Sequence, residues 1–210
     1  MSASSPRNSR RATPALLLTA GLLLAGCAGG KPRALPPADE QILLSKGDPH
    51  LLAAVRDGGD EAFAALAVFR GDVFLRHSAM LEQASIPILN EFGKSALLLL
   101  RPAQVVPLLS GPDVRRMAWF GPRGRLARLD PSLELDAMAR FAAGTEGNDR
   151  EILLRWRDVP GAADERSVAV AGYRIVIRAG ANIVISGPLS GLPKLLEIDR
   201  IIYLEKASNP

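Results

Sequence analysis

The sequence predicts an α+β protein in which one βαββαβ order of elements is written twice. Three observations carry that prediction. Short apolar runs alternate with segments of helical spacing from about residue 61 to residue 120, and the same alternation returns after residue 150. Each half contains two adjacent apolar strands joined by a short glycine-containing turn, the mark of a hairpin. Pro107 stands six residues before Asp113 and Pro193 six before Asp199; each proline opens a leucine pair, and each aspartate is followed by an apolar strand. The ordered set points to an internal duplication.

The elements follow in order. "EAFAALAVFRG" reads as a strand ended by Gly71. "DVFLRHSAMLEQAS" reads as one helix capped by Asp72, with Val73, Phe74, His77, Met80, Leu81 and Ala84 recurring near helical spacing. "IPILNEFG" and "SALLLLRP" form strands meeting at Gly93-Lys94. "AQVVPLLSG" is a helix if Pro107 sits in its first turn, and "VRRMAWFGP" is the closing strand. In the second half, "EILLRWRD" is a strand, "GAADERSVAVAG" a short helix, "YRIVIRAG" and "NIVISGP" a hairpin, "LSGLPKLLEI" a helix and "RIIYLEK" a strand.

Right-handed crossovers fold each βαββαβ set into a four-stranded antiparallel sheet with two helices, the ferredoxin-like architecture. The first unit is expected over residues 41–125 and the second over 150–210. Between them, 126–149 holds a connecting helix begun near Asp130-Pro131 and closed by Gly144, then a polar linker.

The chain's single cysteine lies ahead of both units. Arg7, Arg10 and Arg11 precede the apolar run "ALLLTAGLLLAG", too short for a permanent span, and Leu24-Ala25-Gly26-Cys27 resembles the bacterial lipobox. The resemblance implies a signal peptide over residues 1–26, cleavage between Gly26 and Cys27, and a lipid anchor on Cys27. Residues 27–40, with "AGGKPRALPPA", then read as lipidated N-terminus and linker. Ala28 after the cysteine suggests the outer membrane, facing the periplasm, in a Gram-negative host. Loss of residues 1–26 removes three arginines and no acid, leaving 23 basic against 22 acidic side chains. A balance so near neutrality argues against a nucleic-acid partner.

The segments "GDPHLLAAVRDGGDEAFAALAVFRG" and "IPILNEFGKSALLLLRPAQVVPLLSGPDVRRMAWFGP" resemble the propeptides of subtilisin-like serine proteases and the related peptidase-inhibitor domains. Val105, Leu108 and Val114 match the apolar pattern of that family's last helix and strand. The resemblance spans residues 47–122 and, more faintly, 150–206. It implies a sheet that packs on a protease surface and a tail that enters the cleft, with Trp119, Phe120, Tyr203, Leu204 and Lys206 as partner contacts. No aspartate, histidine and serine motifs of such a protease follow, so any protease bound is a separate protein.

Catalytic chemistry is hard to assemble from these residues. His50 follows Asp48-Pro49 at a helix start and His77 lies mid-helix, neither with a partner at metal-ligand spacing. The pairs Asp39-Glu40, Asp60-Glu61 and Asp164-Glu165 are placed to favour helix starts rather than to face one cleft. Gly121-Pro122-Arg123-Gly124-Arg125 reads as a solvated basic turn. Trp119 and Phe120, neighbours on a strand, face opposite sides, and Trp156 is expected to repeat that arrangement. No cofactor and no metal are expected. The expectation is a membrane-anchored, non-enzymatic envelope lipoprotein acting as a protein-interaction module, in its sharper form an inhibitor or chaperone of a subtilisin-like protease. The alternative is a small-molecule-binding or purely structural envelope lipoprotein.

Overall fold

The computed structural model describes residues 34–57, 59–144 and 149–207. Gly26 and Cys27, with the rest of the expected signal and lipidation segment, lie outside them. The first unit runs α1 (Pro37–Lys46), α2 (Pro49–Asp57), β1 (Phe63–Phe69), α3 (Val73–Arg76), α4 (Ser78–Gln83), β2 (Ile88–Phe92), β3 (Ser95–Leu100), α5 (Pro102–Ser110) and β4 (Val114–Pro122). A 3-10 turn (Arg123–Arg128) and α6 (Pro131–Ala143) connect it to the second unit. That unit comprises β5 (Arg150–Trp156), α7 (Ala162–Val170), β6 (Arg174–Ala179), β7 (Asn182–Gly187), α8 (Leu192–Leu196) and β8 (Ile201–Lys206).

The fold is α+β, with two antiparallel four-stranded sheets of orders β2-β3-β1-β4 and β6-β7-β5-β8. In both, the first strand of the unit is central and pairs with the third and fourth, as expected of two ferredoxin-like units. Gly93 takes the left-handed conformation (φ 57°) that the β2–β3 turn needs, and Gly180 (φ 63°) does so between β6 and β7.

The two sheets differ in how they are covered. Every residue of β1 and β3 is buried, and the alanines Ala64, Ala65 and Ala67 leave room for helices to approach on both sides. Ala65, Ala67 and Phe69 face a core built with Leu43, Leu51, Val105 and Leu109 from α1, α2 and α5. Ala64, Leu66 and Leu97 face the other way, into a core that continues through Leu133 and Met138 of α6 to Ile152, Leu154, Leu195 and Leu204 of the second unit. The strands of the second sheet alternate instead: Ile152, Leu154 and Trp156 are buried, while Glu151 and Arg155 are exposed. That alternation is the signature of a sheet with one face in solvent.

The helix expected over 72–85 breaks at His77, which has φ −120° and ψ −12°. Its N–H closes α3 by donating to the Val73 carbonyl, and its ring stacks on Phe69 at 5.0 Å. Val73 and Leu81 are buried as expected, but Phe74 and Leu75 project into solvent. Pro107 is not in the first turn. The helix begins at Pro102, and Pro107 lies inside it, where it withholds the N–H that would reach Ala103. Its counterpart Pro193 does sit in the first turn of α8. The pair Asp60-Glu61 precedes β1 rather than a helix, whereas Asp39-Glu40 and Asp164-Glu165 occupy the first turns of α1 and α7.

Candidate functional site

The outer face of the second sheet is a ladder of aligned side chains. Its central row runs Ile177, Val184, Leu153, Glu205 across β6, β7, β5 and β8. One row is Arg174, Ser186, Glu151; the row on the other side is Ala179, Asn182, Arg155, Tyr203. Ile177 is 56% exposed and Leu153 and Val184 are half-buried, so an aliphatic strip lies open between two polar rows.

The polar rows are held in place. Arg155 spans to Glu205 through Nε (3.2 Å) and Nη2 (2.7 Å), and Arg174 Nη2 donates to Ser186 Oγ at 3.4 Å. A shallow groove of about 1120 Å³ runs along this face past Asp130, Arg150 and Lys206. Asp130 caps α6, accepting from the Ser132 N–H at 2.9 Å and from the Ser132 hydroxyl. That hydroxyl, above all, holds its carboxyl below the ordinary aspartate value. Tyr203 donates to Asp130 Oδ2 at 3.3 Å, and partial burial raises its phenol. The Ser132 hydroxyl and Asp130 are engaged with each other at the start of α6, and the rest of the face is a flat mixed surface held by the Arg155–Glu205 ion pair and the Arg174–Ser186 hydrogen bond.

The sequence-predicted partner residues divide between surface and core. Tyr203 and Lys206 lie on β8, Tyr203 half-buried at the edge of the ladder and Lys206 exposed, with its Nζ 3.1 Å from Asp136 Oδ2. Leu204 between them is fully buried, so "YLEK" is a paired strand with one side in the core, not an extended tail. Part of its outer edge is also covered, because the Asp130 N–H donates to the Leu204 carbonyl at 2.9 Å. Phe120 likewise is a core residue, 2% exposed. A bulge between Ala64 and Ala65 inserts it on the α6 side of the first sheet.

Trp119 packs toward the α1, α2 and α5 side, as opposite-facing neighbours on a strand must. Its ring lies 6.2 Å from His50, and its backbone N–H donates to Asp48 Oδ1 at 3.2 Å. The same oxygen accepts from the Leu51 N–H at 2.7 Å, capping α2. Burial nonetheless pushes the Asp48 carboxyl above its ordinary value. Trp156 does not repeat this arrangement: it lies on the first strand of its unit, 3% exposed in the shared core.

The basic turn after β4 is structural. Arg125 Nη1 donates to the Leu196 carbonyl at 3.1 Å while Nη2 pairs with Asp199 at 2.8 Å, so the arginine satisfies the C-terminal end of α8. Among the described residues no group of three or more histidines, cysteines or acids could hold a metal, and no helix is long and apolar enough to cross a membrane.

Sequence reasoning missed the Ile177–Val184–Leu153 strip. The signal was present: "FAALAVF" and "SALLLL" are apolar throughout, whereas "REILLRW" alternates, which distinguishes a covered sheet from an open one. Comparison with family models, with curated proteins and with solved structures finds no match to this chain.

Proposed function

We propose that this chain is a lipid-anchored, non-enzymatic envelope protein that docks a separate protein through the open sheet face of its second ferredoxin-like unit. One observation carries the reading: the first sheet is covered on both faces, while the second leaves an aliphatic strip in solvent between ordered polar rows. A central, partly desolvated apolar strip rimmed by polar groups is the anatomy of a protein interface. The anchor rests on the resemblance of Leu24-Ala25-Gly26-Cys27 to a lipobox. It would hold this face near a membrane surface, within the outer membrane's periplasmic side in a Gram-negative host.

The partner proposed is a subtilisin-like serine protease, on the resemblance of residues 47–122 and 150–206 to propeptides of that class, which apply a sheet to the protease surface. Inhibition of a subtilisin-type protease by the purified protein is the direct test. Saturable inhibition that is lost in Ile177→Arg/Val184→Arg, both solvent-side positions, is expected. Inhibition unchanged by that pair, or none with the wild type, overturns the protease reading. The anchor is tested separately: Cys27→Ser should move the protein from the membrane fraction to the soluble fraction or leave its leader uncleaved. Membrane retention with normal processing would exclude lipidation at that position.

A further inference from the structure

We propose that the cleft between β4, α6 and the 189–193 segment binds a small organic acid, whose carboxylate pairs with Arg116 while its apolar body lies against the surrounding aromatic and aliphatic walls. The cleft has a volume of about 400 Å³, within the range of small-molecule sites. It lies where the two units meet and does not use the sheet face proposed for docking, so either proposal can fail without the other.

Arg116 is the observation that carries it. The residue sits in the middle of an otherwise largely apolar strand, opposite Val68 and on the α6 side of the sheet. The residue is half-buried, and burial lowers its guanidinium's affinity for a proton. Among the described residues no carboxylate lies within ion-pair distance of it. Its contact is the Phe141 ring, 4.5 Å from the guanidinium carbon. A ring face attracts the cation but offers no acceptor to its five N–H groups. Such a planar fork fits a carboxylate with two parallel hydrogen bonds.

The surroundings select the rest of the ligand. Leu66, Phe120, Phe141, Leu189 and Pro193 line the cleft, and most of its surface is apolar. Asp48 also borders it, but its Oδ1 is turned to the Leu51 and Trp119 amides, which it accepts from at 2.7 and 3.2 Å. Gly144 closes the rim. With φ 74° it takes the left-handed conformation that ends α6, and a Cβ there would come within 3.4 Å of both terminal nitrogens of Arg116. Glycine is required here by the left-handed backbone that terminates the helix.

The test is calorimetric titration of the purified full-length protein with benzoate, 4-phenylbutyrate and decanoate, each beside its neutral primary amide. Saturable one-site binding is expected for at least one acid, with the matching amide at least tenfold weaker. Arg116→Gln should remove that difference. The comparison of acid with amide in the wild type needs no variant, so a misfolded Arg116→Gln would not obscure the result. Absence of saturable binding for all three acids, or equal binding of acid and amide, overturns the proposal. Tighter binding of a tripeptide ending in a free phenylalanine carboxylate than of any of the three acids would overturn the small-acid assignment in favour of a peptide terminus.

Discussion

Asp48 joins two elements through a single oxygen atom, accepting from α2 at Leu51 and from β4 at Trp119. Because its carboxyl is raised by burial, the folded state holds the proton more tightly than the unfolded chain does. Stability therefore falls as pH rises from about 4 through the folded-state value, and the loss is complete above it. An asparagine oxygen can accept both hydrogen bonds without carrying the desolvated charge. Asp48→Asn is expected to match or exceed the wild type in urea denaturation at pH 7 and to lose that acid-side slope. Asp48→Ala, which removes the cap, should cost about 1 kcal/mol. A large loss in the asparagine variant would show that the charge itself is required. The capping role was legible from Asp48-Pro49-His50; the bond to Trp119 was not, because it joins residues far apart in sequence.

Among the elements, α5 carries an interior defect. Pro107 leaves the Ala103 carbonyl without its helical donor, a disruption of about 3 kcal/mol in a regular helix, partly offset because proline restricts the unfolded chain by about 0.4–1 kcal/mol. Pro107→Ala is accordingly expected to raise stability by about 2–2.6 kcal/mol, read as a higher urea midpoint at unchanged slope. Most elements could be read from residue order. Hairpin glycines, the Asp130-Pro131 start and the Gly144 end of α6 are local signals with local causes, and the structure places each where the sequence does. The break at His77 was not legible, since an apolar spacing of three and four residues is equally served by one long helix or two short ones. What decides it is the stacking of His77 on Phe69, a contact with a strand that precedes the helix. The candidate face stayed hidden for a similar reason: alternation shows that a strand has an outer side, but the row joining Ile177, Val184 and Leu153 exists only once three strands are in register.

At the scale of the molecule, one core crosses both units. Leu66 and Phe120 of the first share it with Leu133 and Met138 of α6 and with Leu154, Leu195 and Leu204 of the second. Neither unit closes this core alone, so calorimetry of the whole chain is expected to show one unfolding transition with equal calorimetric and van't Hoff enthalpies. Two separated transitions would mean that the shared core contributes little. Leu133→Ala in the connecting helix should destabilise the whole by about 2–5 kcal/mol and preserve the single transition.

The unequal covering of the two sheets also bears on how such a chain can change over generations. Two units of the same strand order present equivalent sheet faces. Here the outer sheet face of the first unit is interior, where any replacement must still fit against α6; the same face of the second unit is open to solvent along Ile177, Val184 and Leu153. One half is thereby committed to holding the molecule together, and the other is released to accumulate replacements without loss of fold.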